Sequence, residues 1–587
     1  MRVSRGHPEK RFRTLRLAGL FAAVLVLSFM VQFPTCYSFA FCGFYDPGTA
    51  IKGAYLLEKG YQPTVDFGYT HGLLSLEISR LWFALAGRTP AAYFTFVMLV
   101  EVFIAIGLAR LAVACRLSRP AIALFCCTLP LAIIPDYLTL THPLEALLII
   151  HALADQAQGR RARALALLTL CIFIKPSMAY VYGFVLLVNI AIDLLGYRHS
   201  ANRGWHAQWG RGPAGHDQRA FASALHRLVR ALLPAIVVAV VCAGVLSAVF
   251  GVAPLIRTAL AVAGTSAYTK TNFGFFAGSG AEFWRPSFEA IATHAGNVLG
   301  FRIPPALAAP FYYLTSPAGI WLLAAAALNV AAAVYVIARL RGQSLYTRRG
   351  NLLLTLALLH TAFLCGFYGW TQSWTYYAYM PFFALALIAT ALRLRWPIMT
   401  ALCALALLAH TRNLGIAAGG WQYTVRTKDT SGLFAWKITA DEWSEVLSLT
   451  TGQRTLLMTN GYPTHLPPNV ELPDAWFPET GIATPKETAR VLDQVRHASA
   501  VIIWREYRDL DLWNTSQFAA EKANFARIYP PGSDDIDDPD APKPGQYFEV
   551  YQRHAPATPA LPAPSTAPTP DPSAGPPTPS RPARPAP

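Results

Sequence analysis

The residues able to do chemistry in this chain are few, and they stand at the edges of its apolar stretches. Only 13 of the 33 acidic residues fall in the first 411 positions, and three of these, Asp46, Glu58 and Asp66, share one loop with His71. Asp46 follows directly on the first apolar helix, in Phe44-Tyr45-Asp46-Pro47-Gly48, which puts it where membrane would meet water. Asp136 holds a similar place before a later helix, in Pro135-Asp136-Tyr137. Two carboxylates from different loops that meet in one cavity could serve as general base and orienting group. They could equally hold a divalent cation through oxygen ligands. The plainer readings are a solvated helix flank for Asp46 and a turn or N-cap residue for Asp136.

The candidate cations are Lys175, in Ile174-Lys175-Pro176, and Arg285, beside Glu282 and Trp284. A lysine with apolar sequence on both sides either snorkels to the headgroups or supplies a compact positive charge to a phosphate. Arg285 offers the same two readings. Glu101 lies inside an apolar stretch, where a helix-packing hydrogen bond is the expected role. No CxxC pair or Cys/His cluster marks a metal site, and no cofactor is called for. Cys36 and Cys42 flank the first loop and could bridge if that loop lies outside the cytoplasm.

These groups need a scaffold, and composition says which kind. The chain has 587 residues, 54% hydrophobic and 14% charged, with a mean hydropathy of +0.33. Soluble domains carry about a quarter charged residues, so a polytopic membrane protein is expected. The formal charge of +16 does not point to nucleic acid. Its basic residues fall in short runs between apolar segments, at 2–16, 110–119, 160–163, 198–230, 339–349 and 393–395. That is how cytoplasmic loops are marked.

Eleven spans are expected, near 17–33, 91–113, 120–135, 143–158, 164–182, 183–197, 231–252, 317–338, 351–369, 376–392 and 396–411. With the N-terminus cytoplasmic, this count puts the basic runs on the inner side. It leaves outer loops at 34–90 and 253–316, and a C-terminal region on the outside. Residues 73–87 are apolar but short and carry Glu77 and Arg80, so an amphipathic helix in the outer interface is expected there. Beyond 411 the apolar runs shorten and acids become frequent. Leu456–Thr459, Ala500–Trp504 and Tyr547–Tyr551 read as strands, with helices over Ala440–Leu449 and Lys486–His497. A small α/β domain over 412–552 follows, then a disordered Pro/Ala-rich tail over 553–587.

The first loop resembles that of the GT-C superfamily of polytopic glycosyltransferases, which includes protein mannosyltransferases and the aminoarabinose transferases of lipid A. The similarity rests on Tyr45-Asp46-Pro47-Gly48 after the first helix, then Gly60-Tyr61-Gln62-Pro63, Val65-Asp66-Phe67 and Thr70-His71-Gly72 leading the interfacial helix. Ile174-Lys175-Pro176 is similar to the family's lysine motif, and Asp136 falls where a second acid is often placed. The first acid is a single Asp here, where the family has an Asp-Glu pair. The resemblance implies a mainly α membrane bundle, with the mechanism of an inverting transfer from a polyprenyl-phosphate sugar to a glycan, lipid or protein acceptor.

In that scheme Asp46 is the base, Asp136 and Asp66 are acidic partners, and Lys175 and Arg285 contact the phosphate. His71, Glu282 and Trp284 help bind substrate. The site would face the periplasm of a bacterial inner membrane. The competing classes are a lipid-linked saccharide flippase and a non-catalytic envelope assembly protein. A flippase would be expected to line a central path with charge, whereas mid-helix charges here are few: Glu101, Glu145 and Asp155.

Overall fold

The structure is a computed structural model. It describes residues 8–39, 46–69, 71–132, 140–176, 179–180, 182–184, 186–187, 215–260, 379–391, 393–428, 435–459, 461–462, 466–476, 483–504, 512–530 and 547–554. The chain is mainly helical with a small sheet near its C-terminus. Helices α1 (Pro8–Phe39), α2 (Asp46–Glu58), α3 (Leu73–Ala86), α4 (Pro90–Ala114), α5 (Arg119–Thr128), α6 (Thr141–Ala157) and α7 (Arg161–Ile172) open the chain. After them come α8 (Gly215–Phe250), α9 (Val252–Ala259), α10 (Tyr379–Ala391) and α11 (Trp396–Tyr423).

Among the described residues three helices are long and apolar enough to cross a membrane, over Arg11–Gln32, Ala91–Ala114 and Val229–Phe250. The other expected spans coincide with helices such as α5, α6, α7 and α10, of 10 to 17 residues, or with the 28 residues of α11. The remaining spans, at 317–338 and 351–369 and most of 183–197, lie outside the described residues, as do residues 555–587 of the expected tail, Cys42 and the loop from 261 onward. Arg553, the first residue of that expected tail, belongs to the last strand.

Local chemistry sets the helix starts. Thr89 caps α4 by accepting from the Ala92 N–H at 3.1 Å, with Pro90 in the first turn. Ser118 does the same for α5, again ahead of a proline. Helix α1 packs on α4, α4 on α6, α6 on α7, and α7 on α8. A core of Phe21, Leu108, Phe125, Ile149 and Phe383 lies between them. Within it the Tyr379 hydroxyl donates to Glu101 at 2.6 Å, the packing hydrogen bond expected for that carboxylate.

Asp155, fully buried near the end of α6, draws in Arg110, Arg160 and Arg163, so two separate basic runs converge at one end of the bundle. Glu145 sits ten residues earlier on the same helix, about 15 Å away along its axis. The two acids therefore serve opposite ends of α6. Helix α3 buries Leu73, Leu76 and Phe83 and leaves Leu81 and Leu85 exposed, so it carries apolar surface on both sides. Its two charges, Glu77 and Arg80, pair with each other.

Helix α11 runs to Tyr423, so the expected boundary at 411 falls inside it, and a short β1 (Thr424–Val425) follows directly. Strand β1 pairs antiparallel with β2 (Ala435–Trp436), which leads into α12 (Lys437–Leu449). The main sheet comprises β3 (Thr455–Met458), β4 (Val470–Glu471), β5 (Ala500–Trp504), β6 (Phe525–Tyr529) and β7 (Phe548–Arg553), in the order β4-β3-β5-β7-β6. Strands β4, β3 and β5 are parallel, while β7 runs antiparallel to both β5 and β6.

Every residue of β3 and β5 is buried, as continuous apolar runs require when both sheet faces are covered. Leu457, Ile502 and Val550 face α12 through Trp443 and Val446. Leu456, Val501 and Ile503 face α13 (Pro485–His497) through Val491 and Val495. The strands and helices expected from periodicity are therefore present. Strand β5 has the expected bounds, β3 starts and ends one residue earlier, and β7 is shifted to Phe548–Arg553. The two helices start three residues and one residue earlier.

Candidate functional site

The site is built where the first loop meets the Ile174-Lys175-Pro176 turn. The backbone N–H of Gly72 donates to the Ile174 carbonyl at 2.9 Å, and that of Leu74 donates to the Phe173 carbonyl at 2.9 Å. Gly72 has ordinary extended angles, φ −69° and ψ 140°, so its glycine is not there for conformational freedom. The need is space: a Cβ at position 72 would lie 2.1 Å from the Phe173 carbonyl oxygen. Ser75 then donates to the Gly72 carbonyl at 2.7 Å and bonds the Tyr69 hydroxyl at 2.9 Å, closing the first turn of α3.

Behind this junction lies Lys175. Its ammonium bonds His142 Nε2 and stands 3.8 Å from Glu145, whose side chain is fully buried. An ammonium has no acceptor, so His142 accepts through Nε2 and is neutral. The His71 ring lies 6.2 Å from that of His142 and 5.9 Å from that of Trp476. Burial, and then the charge of Lys175, hold the His71 imidazole down to a pKa of about 3. Two neutral imidazoles and one carboxylate thus surround a single cation, of which one-fifth of the side chain is exposed. Glu145 offsets the cost of burying that cation.

The rest of the first loop is clasped by the C-terminal domain. Glu487 completes a capping box with Thr484 at the start of α13. The same buried carboxylate accepts from the Gly68 N–H at 2.6 Å and the Trp476 N–H at 2.8 Å. Burial raises its pKa against the lowering effect of these backbone donors. Trp476, 2% exposed, donates its indole N–H to the Thr49 carbonyl at 3.0 Å. Lys52, fully buried on α2, reaches the Thr459 carbonyl at 2.8 Å. Lys59 pairs with Asp474 at 2.7 Å, and Tyr61 donates to the same carboxylate.

The structure places the sequence-predicted residues unequally. It sets His71 against His142, which bonds Lys175, and brings Glu145 near the same ammonium. Asp66 belongs to the clasp: one oxygen accepts from the Gln62 N–H at 3.0 Å, the other pairs with Lys486 at 3.0 Å, and Arg490 bonds its carbonyl. The Gln62 N–H and the Lys486 charge hold its carboxyl below the usual range, against a smaller effect of burial. Of the two roles open to Asp66, these contacts favour the loop anchor over the catalytic partner. Asp46 is the first residue of α2, at the opposite end of that helix from Lys59, and its side chain is outside the described set. Asp136, Glu282, Trp284 and Arg285 also lie outside the described residues.

Lys52, Trp476 and Glu487 escape a reading of the sequence for chemistry. Only Glu487 carried a signal, as the fourth residue of Thr484-Pro485-Lys486-Glu487, the pattern of a capping box. Among the described residues no group of three or more His, Cys, Asp or Glu is arranged to hold a metal ion. No protein-family model, curated protein or solved structure matches the chain.

Proposed function

We propose that this chain is a polytopic membrane glycosyltransferase of GT-C type, moving a sugar from a polyprenyl-phosphate donor to a glycan, lipid or protein acceptor. The observation that carries the proposal is the junction of Gly72 with Ile174-Lys175, segments about a hundred residues apart that are the two motif regions of the resemblance. A lipid-phosphate donor enters from the bilayer, so its anomeric carbon lies at the level of the helix ends. Lys175 supplies positive charge for the phosphate that leaves, with the neutral imidazoles of His71 and His142 beside it.

Asp46 takes the proton from the acceptor hydroxyl. The hydroxyl oxygen then bonds to the anomeric carbon as the carbon–oxygen bond to phosphate breaks, inverting the centre and releasing polyprenyl phosphate. Asp136 is the proposed acidic partner and Arg285 a second phosphate contact, with Glu282 and Trp284 completing the substrate site. The eleven-span arrangement and a periplasmic site in a bacterial inner membrane belong to the same proposal.

The opposite placement of the Lys175 cluster and the arginines around Asp155 along α6 supports that orientation, since basic loops stay inside. The three acids that a flippase would use along its path have local roles. Glu101 bonds Tyr379, Glu145 holds Lys175, and Asp155 is ringed by arginines. The test is sugar transfer by purified chain reconstituted in vesicles with polyprenyl-phosphate-linked hexoses and pentoses. Translocation of the lipid-linked sugar without transfer would make it a flippase, and neither activity would leave an assembly protein.

A further inference from the structure

Between the end of α2, the α3–α4 link and the sheet domain there is a cleft of about 450 Å³, in the size range of small-molecule sites. Its walls include Tyr55, Lys59, Arg88, Thr89, Tyr462 and Glu471. The two tyrosine rings stand 5.2 Å apart at 55°, forming a bent aromatic floor. Over that floor the Lys59 ammonium lies 4.7 Å from the Tyr55 ring, and the Arg88 guanidinium is 5.5 Å from Tyr55 and 5.9 Å from Tyr462. Arg88 is held by Glu58 at 3.1 Å and Lys59 by Asp474 at 2.7 Å, so both cations are fixed in place with their charge largely balanced.

An aromatic floor with a rim of donors and acceptors of both signs fits one ligand chemistry well. A pyranose or furanose presents an apolar C–H face to an aromatic ring and hydroxyls at its edge. Guanidinium, ammonium, carboxylate and hydroxyl groups at the rim can each bond those hydroxyls. A simple anion would meet cations already neutralised by Glu58 and Asp474, and an apolar ligand would strand the rim. We infer that this cleft is a saccharide-binding site, and that the sugar it holds is part of the acceptor.

The second half of that inference rests on the glycosyltransferase reading. The cleft shares a helix with the proposed base, because Tyr55 lies nine residues after Asp46 on α2, about 14 Å of helical rise. Nine residues also turn the helix about two and a half times, so a glycan seated on Tyr55 and Tyr462 brings its growing end to the start of α2 by passing half-way round that helix. The C-terminal domain contributes the far wall, which gives that domain a role in choosing the acceptor.

The experiment titrates detergent-solubilised full-length chain over an immobilised panel of di- to tetrasaccharides. The panel has a neutral hexose and pentose arm, an amino-sugar arm and a uronic-acid arm. The expected result is retention of at least one arm, weakened about tenfold or more by Tyr462→Ala and preserved by Tyr462→Phe. Arg88→Gln should weaken the same arm, and the melting temperatures of the three variants should match the parent chain. Failure of the parent to bind any arm, or binding untouched by both Tyr462→Ala and Arg88→Gln, overturns the site. Saccharide binding without sugar transfer from any polyprenyl-phosphate donor would instead sink the transferase reading and leave the cleft standing.

Discussion

Gly72 and Ile174 are joined by a backbone hydrogen bond of 2.9 Å, at a distance of approach that no side chain at position 72 would allow. This one contact sets the start of α3 against the turn that carries Lys175. It makes the first loop and the lysine motif parts of a single structure, although a hundred residues separate them in the chain.

Replacing that glycine is the direct test of the junction. Gly72→Ala puts a methyl carbon into the Phe173 carbonyl and must push the turn away. A loss of about 1–3 kcal/mol is expected from overpacking. Lower thermal stability in detergent, together with lost transfer, checks it. Unchanged melting would mean the close approach is absent in solution.

The Lys175 cluster should behave as a coupled unit. Lys175→Met leaves the buried Glu145 carboxylate without its ammonium neighbour. Stability should fall by about 3–5 kcal/mol. The double variant Lys175→Met with Glu145→Gln should recover most of that stability but not transfer. Measured melting curves and donor KM values for the single and double variants separate structure from phosphate binding.

Two aspartates near the first loop should differ sharply. Asp46→Asn is expected to abolish sugar transfer while the chain remains folded and inserted. Asp66→Asn weakens an ion pair with Lys486 that is open to water, and should cost at most about 1 kcal/mol with transfer retained. Full activity in Asp46→Asn would refute its assignment as base, and loss of activity without loss of stability in Asp66→Asn would return that residue to the site.

Acid should loosen the junction through His71. Its folded pKa of about 3 lies below the value near 6.5 for an exposed histidine. Between those values the unfolded chain binds a proton that the folded chain refuses. Stability is therefore full above pH 6.5 and declines as the pH falls toward 3, by about 4 kcal/mol. His71→Gln should flatten that part of the stability–pH curve, and an unchanged slope would show that His71 is not held in its neutral form.

The clasp by Glu487 predicts a different loss. Glu487→Leu removes the acceptor for the Gly68, Trp476 and Thr484 N–H groups at once. Each buried donor left without an acceptor costs about 1–3 kcal/mol. The C-terminal domain should become sensitive to limited proteolysis at its junction with the first loop, while α1 and α4 remain protected.

Much of the scaffold was legible from the sequence by itself. Long apolar runs marked α1, α4 and α8, short apolar runs marked the strands, and Gly72 to Gly87 bracketed α3, because these patterns are local and each reflects one element's own need to hide or show side chains. His71 and Lys175 were legible as candidates because polar residues are scarce beside apolar sequence. What only the tertiary structure decided is which of them meet. That Asp66 turns to Lys486 and Gln62, that Lys52 is buried against Thr459, and that His71 stands by His142, Trp476 and Lys175 all depend on segments far apart in the chain. A carboxylate or ammonium has the same local signature whether it anchors a loop or faces a substrate, and only its neighbours in space tell the two apart.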